Sequence, residues 1–254
     1  MQKDDISLAA WALVEEFRQG KWKALDLPKI TREDLDINGI EFVNTLFEVP
    51  TMTYLNQLKQ NAADYGTELI LIMVDEEGDG CAATAKERKQ FVINHRKWID
   101  IAHYLGCHAI RTNCRGIEIS SGEEALKLSS ETYHQLLDYA QDSGVEVLIE
   151  NHGGYSNDPE WMVALMNEVN HPLFGAYPDW REPSAEFDNY RYLEKTIPFA
   201  KGMSYRNQPT EEQTAKLIAL CRREGYHGWY GIESKGREAV MLGKSLLEKY
   251  LLKK

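Results

Sequence analysis

The chain is short of positive charge, of paired cysteines and of long apolar runs, and each shortage removes a class of function. Its 29 Lys and Arg stand against 40 Asp and Glu, a formal net charge of −11 over 254 residues. Nucleic acids and anionic membranes are bound by basic faces, so neither is an expected partner, although one locally basic pocket is compatible with this balance. The four cysteines, Cys81, Cys107, Cys114 and Cys221, form no CxxC pair. Such usage suits free thiols in a reducing compartment. No apolar run approaches the roughly 18 residues of a membrane-spanning helix. The segment Met1–Asp5 has none of the apolar character of a secretory signal. A cytoplasmic location is therefore expected. Also missing is a Gly-rich phosphate loop after the first apolar segment, which runs into Val14-Glu-Glu-Phe17 instead. That counts against an open dinucleotide-binding sheet.

What the chain does have is core material and a repeat. Apolar residues make up 43% and charged residues 27%, which excludes disorder. Five times a helix-like segment ends in Gly and runs into a short apolar stretch. Gly39 leads into IEFVN, Gly66 into TELILIMVD, Gly106 into CHAIRTNC, Gly144 into VEVLIEN and Gly225 into YHGWYGIES. Glycine past a helix end accepts the left-handed backbone that satisfies the last carbonyls. Continuous apolar, β-branched stretches suit parallel strands buried on both faces. Helix starts are marked as well. Thr84-Ala-Lys-Glu87, Ser121-Gly-Glu-Glu124 and Thr210-Glu-Glu-Gln213 fit capping boxes, and Asp158-Pro159 fits an N-cap with proline at the first helical position. Phe91, His95, Trp98, Ala102 and Leu105 fall on one helical face, where His95 reads as a packed histidine.

The five glycines are separated by 27, 40, 38 and 81 positions, and the last gap has room for two further units. Strands at 174–179 and 201–206 fill it, and one at 6–13 opens the chain. Eight strands alternating with helices in about 250 residues predict a (β/α)8 TIM barrel, α/β in class, as a single domain over residues 1–254.

Barrel chemistry stands at the carboxyl ends of the strands. Those ends carry Asn44, Asp75, Asn113, Glu150-Asn-His152, Asp179, Ser204-Tyr-Arg206 and Glu233. Glu150 and Glu233 each end a strongly apolar run, VLIE and WYGIE, where an acid is costly without a partner or a purpose. Asp179 has the alternative of capping the next helix. Carboxylates converging above a barrel cannot all stay ionised without a cation. A divalent metal held by Glu150, Asp179 and Glu233 resolves this; oxygen donors favour Mn2+, Mg2+ or Co2+, with Zn2+ also admissible.

Trp11 in SLAAWAL, IEFVN, IENHGG with Asp158-Pro-Glu-Trp161, Pro178-Asp179-Trp180, AKGMS and GYHGWYGIES together resemble the sugar phosphate isomerase/epimerase family, the xylose isomerase-like TIM barrels. The resemblance spans nearly the whole chain. It implies one divalent metal held from the last four strands, and a Glu pair, here Glu150 and Glu233, shuttling a proton between adjacent carbons of a carbohydrate. The chain departs from that pattern twice. Strand seven offers Ser204 where the family has a His ligand, so a weak Ser204 ligand, three carboxylates plus water, or help from Asn207 or Gln208 are the options. Glu182 stands three residues after Asp179, where many members carry a second His.

Other residues complete the expected site. His152 is placed to orient a substrate oxygen, or to support a ligand. Asn113 joins it as a candidate substrate contact. Arg206 and Lys235 suit a substrate anion or neutralisation of the acids, with a solvated surface the alternative for Lys235. Trp11 and Trp180 offer flat apolar faces for a sugar, with barrel packing the alternative for Trp11. The resulting expectation is a metal-dependent sugar or sugar phosphate isomerase or epimerase working through an enediolate. One alternative is a lyase acting by β-elimination on a keto-sugar or 3-keto-glycoside, and another is a non-catalytic sugar-binding barrel. Pairing of barrels into a homo-oligomer is compatible with the pattern.

Overall fold

A computed structural model describes residues 4–181 and 187–252, and the position of Glu182 lies outside them. Eight parallel strands follow one another in space in chain order: β1 (Asp5–Ala9), β2 (Gly39–Val43), β3 (Glu68–Met73), β4 (Ala109–Thr112), β5 (Glu146–Glu150), β6 (Phe174–Tyr177), β7 (Met203–Tyr205) and β8 (Trp229–Ile232). Strand β1 pairs with both β2 and β8. The remaining seam, between β6 and β7, is joined by two parallel bridges, Ala176 to Ala200 and Asp179 to Ser204. The sheet thereby closes on itself, and the expected TIM barrel is the fold.

The local signals act as their chemistry requires. Thr84 with Glu87 and Thr210 with Gln213 form complete capping boxes, ahead of the helices Ala85–Leu105 and Glu211–Arg223. Ser121 accepts from the Glu124 amide and Asp158 from that of Glu160, starting the helices Gly122–Ala140 and Pro159–Val169. Phe91, His95, Trp98, Ala102 and Leu105 are all buried on one face, and His95 Nδ1 lies 2.8 Å from the Phe91 carbonyl. All four cysteines are free and buried.

Two expectations need correction. Gly39 begins β2 and caps no helix; Asp36 has the positive φ in that connection, at 49°. Glycine is required at 39 for space, since a Cβ there would lie 2.8 Å from both Ile70 and Trp229. The first strand stops at Ala9, and Ala10–Leu13 winds into a 3-10 turn. The turn carries Trp11 over the barrel mouth, where its indole donates to Asp75 Oδ2 at 2.9 Å. Among the described residues, no helix is long and apolar enough to cross a membrane.

Candidate metal and acid/base site

The strand ends gather the three expected acids. Glu150 is the last residue of β5, Asp179 lies two residues past β6, and Glu233 directly follows β8. All three are buried, and one carboxylate oxygen from each lies within 4.8 Å of the others. No other trio of His, Cys, Asp or Glu converges this way among the described residues. Backbone clamps set the geometry. Asn151 donates to the Asp179 carbonyl at 3.0 Å and accepts from its amide at 2.7 Å. Asn44 holds Asp75 by the same pair of bonds, at 2.9 and 2.8 Å. Each asparagine therefore ties the end of its own strand to the acid on the next.

Two arginines stand among the acids. Arg111, in β4 and almost wholly buried, donates to Asp75 Oδ1 at 2.7 Å and to Oδ2 at 3.3 Å. Its Nε is 2.8 Å from Glu150 Oε2. The N–H is not aimed at that oxygen, so the contact is ionic, and buried Glu150 Oε2 receives no hydrogen bond. Arg206, just past β7, donates from Nε to Asp179 Oδ1 at 2.7 Å and from an Nη to Glu233 Oε1 at 2.9 Å. Ser204 donates to the other Glu233 oxygen at 2.7 Å.

Electrostatics separate the acids into two kinds. Burial works to raise the Asp75 carboxyl, but Arg111, Asn113 and Trp11 outweigh it and hold the group well below the usual carboxylate range. Asp75 is an ionised, fully bonded hub. Burial pushes Glu150 up to about 7, against the pull of Arg111 and with the push of Glu233. Burial likewise raises Asp179, reinforced by Glu150 and opposed by Arg206. It also raises Glu233, opposed by Arg206 and reinforced by Asp179. Three carboxylates that resist ionising together lack positive charge, which a divalent ion supplies. The oxygen donor set and the unsatisfied Glu150 Oε2 fit such an ion.

A cavity of about 420 Å3 opens onto Glu150 and Glu233 of this cluster, and Asp179 lies behind its wall. Its wall brings together Trp11, Asn113, Glu150, His152, Arg206, Glu233 and Lys235 from the expected residues, with Asp75 and Arg111. The size and mixed lining suit a small ligand. A second cavity, of about 350 Å3, lies alongside and shares Glu76 and Arg115; the converging acids are not in its wall. Asn113 Nδ2 donates to Asp75 Oδ1 at 2.9 Å, so its Oδ1 is the acceptor 2.8 Å from His152 Nδ1. His152 therefore carries its proton on Nδ1 when neutral, leaving Nε2 as an acceptor. Desolvation and the nearby Arg111 charge lower its pKa and favour the neutral ring.

One expectation meets a different arrangement. Trp180 has no exposed surface, and its ring packs against Tyr205 and Tyr230 at 5.1 and 6.2 Å between centroids. An indole sealed in this way cannot stack on a sugar, so Trp180 is a packing residue. Ser204 donates its hydroxyl proton to Glu233 and so orients that acid, and its oxygen keeps the lone pairs that a weak ligand would use. Three residues went unassigned from the sequence: Arg111, Asp75 as its partner, and Glu41 inside the barrel. Glu41 is fully buried and accepts from Ser7 at 2.7 Å and from Tyr177. A charged residue inside an apolar strand, as in AIRT or GIEFV, was the available signal.

The family model described as xylose isomerase-like TIM barrel matches residues 33–250. The chain belongs to that family. Among solved structures, it is similar to the IolI protein with a bound zinc atom, at 14% identity and a TM-score of 0.76, over 97% of this chain and 99% of that one. A 3-keto-D-glucoside 4-epimerase from E. coli is 11% identical with a TM-score of 0.74, and both chains are covered completely. A xylose isomerase-like TIM barrel protein from Mycobacterium smegmatis, in complex with magnesium, is 15% identical with a TM-score of 0.69, over 98% of this chain and 95% of that one. No curated protein sequence matches the chain. At such identities, the likeness to this xylose isomerase-like barrel is one of fold.

Proposed function

We propose that this chain is a divalent-metal-dependent sugar isomerase or epimerase, with Glu150 and Glu233 as its acid/base pair. The observation that carries this reading is the convergence of Glu150, Asp179 and Glu233 within 4.8 Å at the mouth of the barrel. Structural neighbours that hold zinc or magnesium, and one that epimerises a keto-glucoside, support it.

Glu150, Asp179 and Glu233 would hold the ion, with Ser204 orienting Glu233. When bound, such an ion supplies Lewis-acid stabilisation of negative charge developing on substrate oxygens. The rest falls to the chain. One glutamate removes the proton from the carbon next to the carbonyl, and the C–H electron pair passes into an enediolate. The other glutamate returns a proton to the neighbouring carbon or the opposite face. Neutral His152, with Nε2 unprotonated, is suited to accept a hydrogen bond from a substrate hydroxyl.

The test is exchange of a substrate proton with solvent D2O, screened over ketoses, aldoses and 3-keto-glycosides with Mn2+ present. Glu150→Gln and Glu233→Gln should each slow exchange by about 100-fold or more. Undiminished exchange in both variants would refute the assignment, and an eliminated product would favour the lyase.

A further inference from the structure

Two of the four free cysteines meet outside the acid/base site. Cys81 stands in the turn between β3 and the helix Ala85–Leu105, and Cys114 lies two residues past β4. Asp79 clamps their backbones together, since its Oδ1 accepts from the Cys81 amide and from the Arg115 amide, each at 2.8 Å. Two amides on one oxygen stand less than about 6 Å apart. A disulfide spans a similar gap, about 4.4–6.8 Å between Cα atoms. Gly80 adds a bond to the Asn113 carbonyl at 2.9 Å. The side chains converge as well. Cys81 Sγ is 3.5 Å from the Ala125 carbonyl and Cys114 Sγ is 3.4 Å from Ser129 Oγ, one turn apart on the helix Gly122–Ala140. A Cβ at position 116 would lie 2.6 Å from Cys81 Sγ, so Gly116 leaves room for that sulfur. The two thiols bond to each other. The bond from Cys114, with one from Ser129, draws the Cys81 thiol below its ordinary range against its burial. Burial drives Cys114 the other way, well above that range.

We propose that Cys81 and Cys114 are a redox-active dithiol that hydrogen peroxide converts to a disulfide, locking the turns after β3 and β4 together. The Cys81 sulfur attacks one peroxide oxygen and the O–O bond breaks. Hydroxide leaves, takes up the proton of the Cys81 thiol as water, and Cys81 becomes a sulfenic acid. The Cys114 sulfur then attacks the Cys81 sulfur, the S–O bond breaks, and the hydroxyl departs with the Cys114 proton as a second water. Two thiols are oxidised and one peroxide is reduced to two waters. Access decides the class of oxidant. Neither cysteine has exposed surface, but Cys81 forms part of the wall of the 350 Å3 cavity. A peroxide is small enough to reach the sulfur from there, and a bulky disulfide such as oxidised glutathione is not. The locked turns carry Glu76, Asn113 and Arg115, which line the acid/base cavity, so the bond acts on the wall of the proposed site.

The experiment treats folded, EDTA-stripped protein with hydrogen peroxide, unfolds it, alkylates the remaining thiols and maps the peptides without reduction. It uses neither metal nor substrate, so its outcome is independent of the isomerase reading. The parent should lose two of its four alkylatable thiols, recovered as a linked Cys81–Cys114 peptide, and dithiothreitol should restore both. Cys107 and Cys221, whose thiols burial pushes up to about 12, should stay reduced. Oxidised glutathione at the same concentration should act at least about tenfold more slowly. In Cys114→Ser the reaction should stop at a sulfenic acid on Cys81, captured by dimedone. Cys81→Ser should give neither a sulfenic acid nor a linked peptide. A parent that keeps all its thiols, or joins other cysteines, overturns the proposal, and misfolding of a variant cannot hide that result. A sulfenic acid captured on Cys114 in Cys81→Ser overturns the order of attack. Equal rates with oxidised glutathione overturn the route through the cavity.

Discussion

Replacing Arg111 by methionine tests whether the mouth of the barrel is held by charge compensation. The substitution preserves bulk and removes the cation that pairs Asp75 and contacts Glu150. Breaking a buried pair from one side costs about 3–5 kcal/mol, because an uncompensated charge is left behind. Asp75 would keep the Trp11 and Asn113 hydrogen bonds, and Glu150 is already easy to protonate, which places the expected loss near the lower figure, about 3 kcal/mol. The assay is urea denaturation in EDTA at several pH values. Asp75 is depressed in the folded parent, so its contribution is fully present above the unfolded value near 4 and is lost as pH falls through the folded value. The gap between parent and Arg111→Met should therefore be widest near neutrality and shrink below about pH 4. A gap under about 1 kcal/mol at pH 7, or one that stays constant down to pH 3, would refute the reasoning.

The barrel interior offers two further tests. Glu41, pushed up to about 7 by burial against the Tyr177 and Ser7 hydrogen bonds, binds its proton more tightly folded than unfolded. The parent consequently loses stability as pH rises from about 4.5 to 7, so Glu41→Gln should gain on it by roughly 3 kcal/mol across that window. Thermal melts of both proteins at pH 5 and 8 check this; parallel pH profiles would mean that Glu41 titrates normally. At Gly231, an added Cβ would fall 2.2–2.5 Å from the Glu41 carboxylate. Gly231→Ala should cost about 1–3 kcal/mol by overpacking. The loss should shrink markedly when Glu41 is also cut back to Ser, a non-additivity read from a double-mutant cycle.

Much of the architecture was legible because it is written in short-range chemistry. Helix caps, glycine stops and apolar runs act over a few residues, and their number and order are enough for a barrel of eight units. Gly39 was misassigned for an instructive reason. A glycine before a strand can serve positive φ or close packing, and the neighbours that decide between them, Ile70 and Trp229, lie far along the chain. The acids were legible too, because Glu150 and Glu233 interrupt apolar patterns that have no local use for a charge.

Local pattern determined which residues end the strands, and hence that acids, an asparagine, a histidine and an arginine would stand at one rim. Only the closed barrel decided how they pair. Arg206 bridges Asp179 and Glu233, Arg111 is claimed by Asp75 from the neighbouring strand, and Trp180 turns into the packing beside Tyr205 instead of facing a ligand. Ion pairing and burial depend on distances between side chains far apart in the chain, and those distances are properties of the strand register and of the ring it closes.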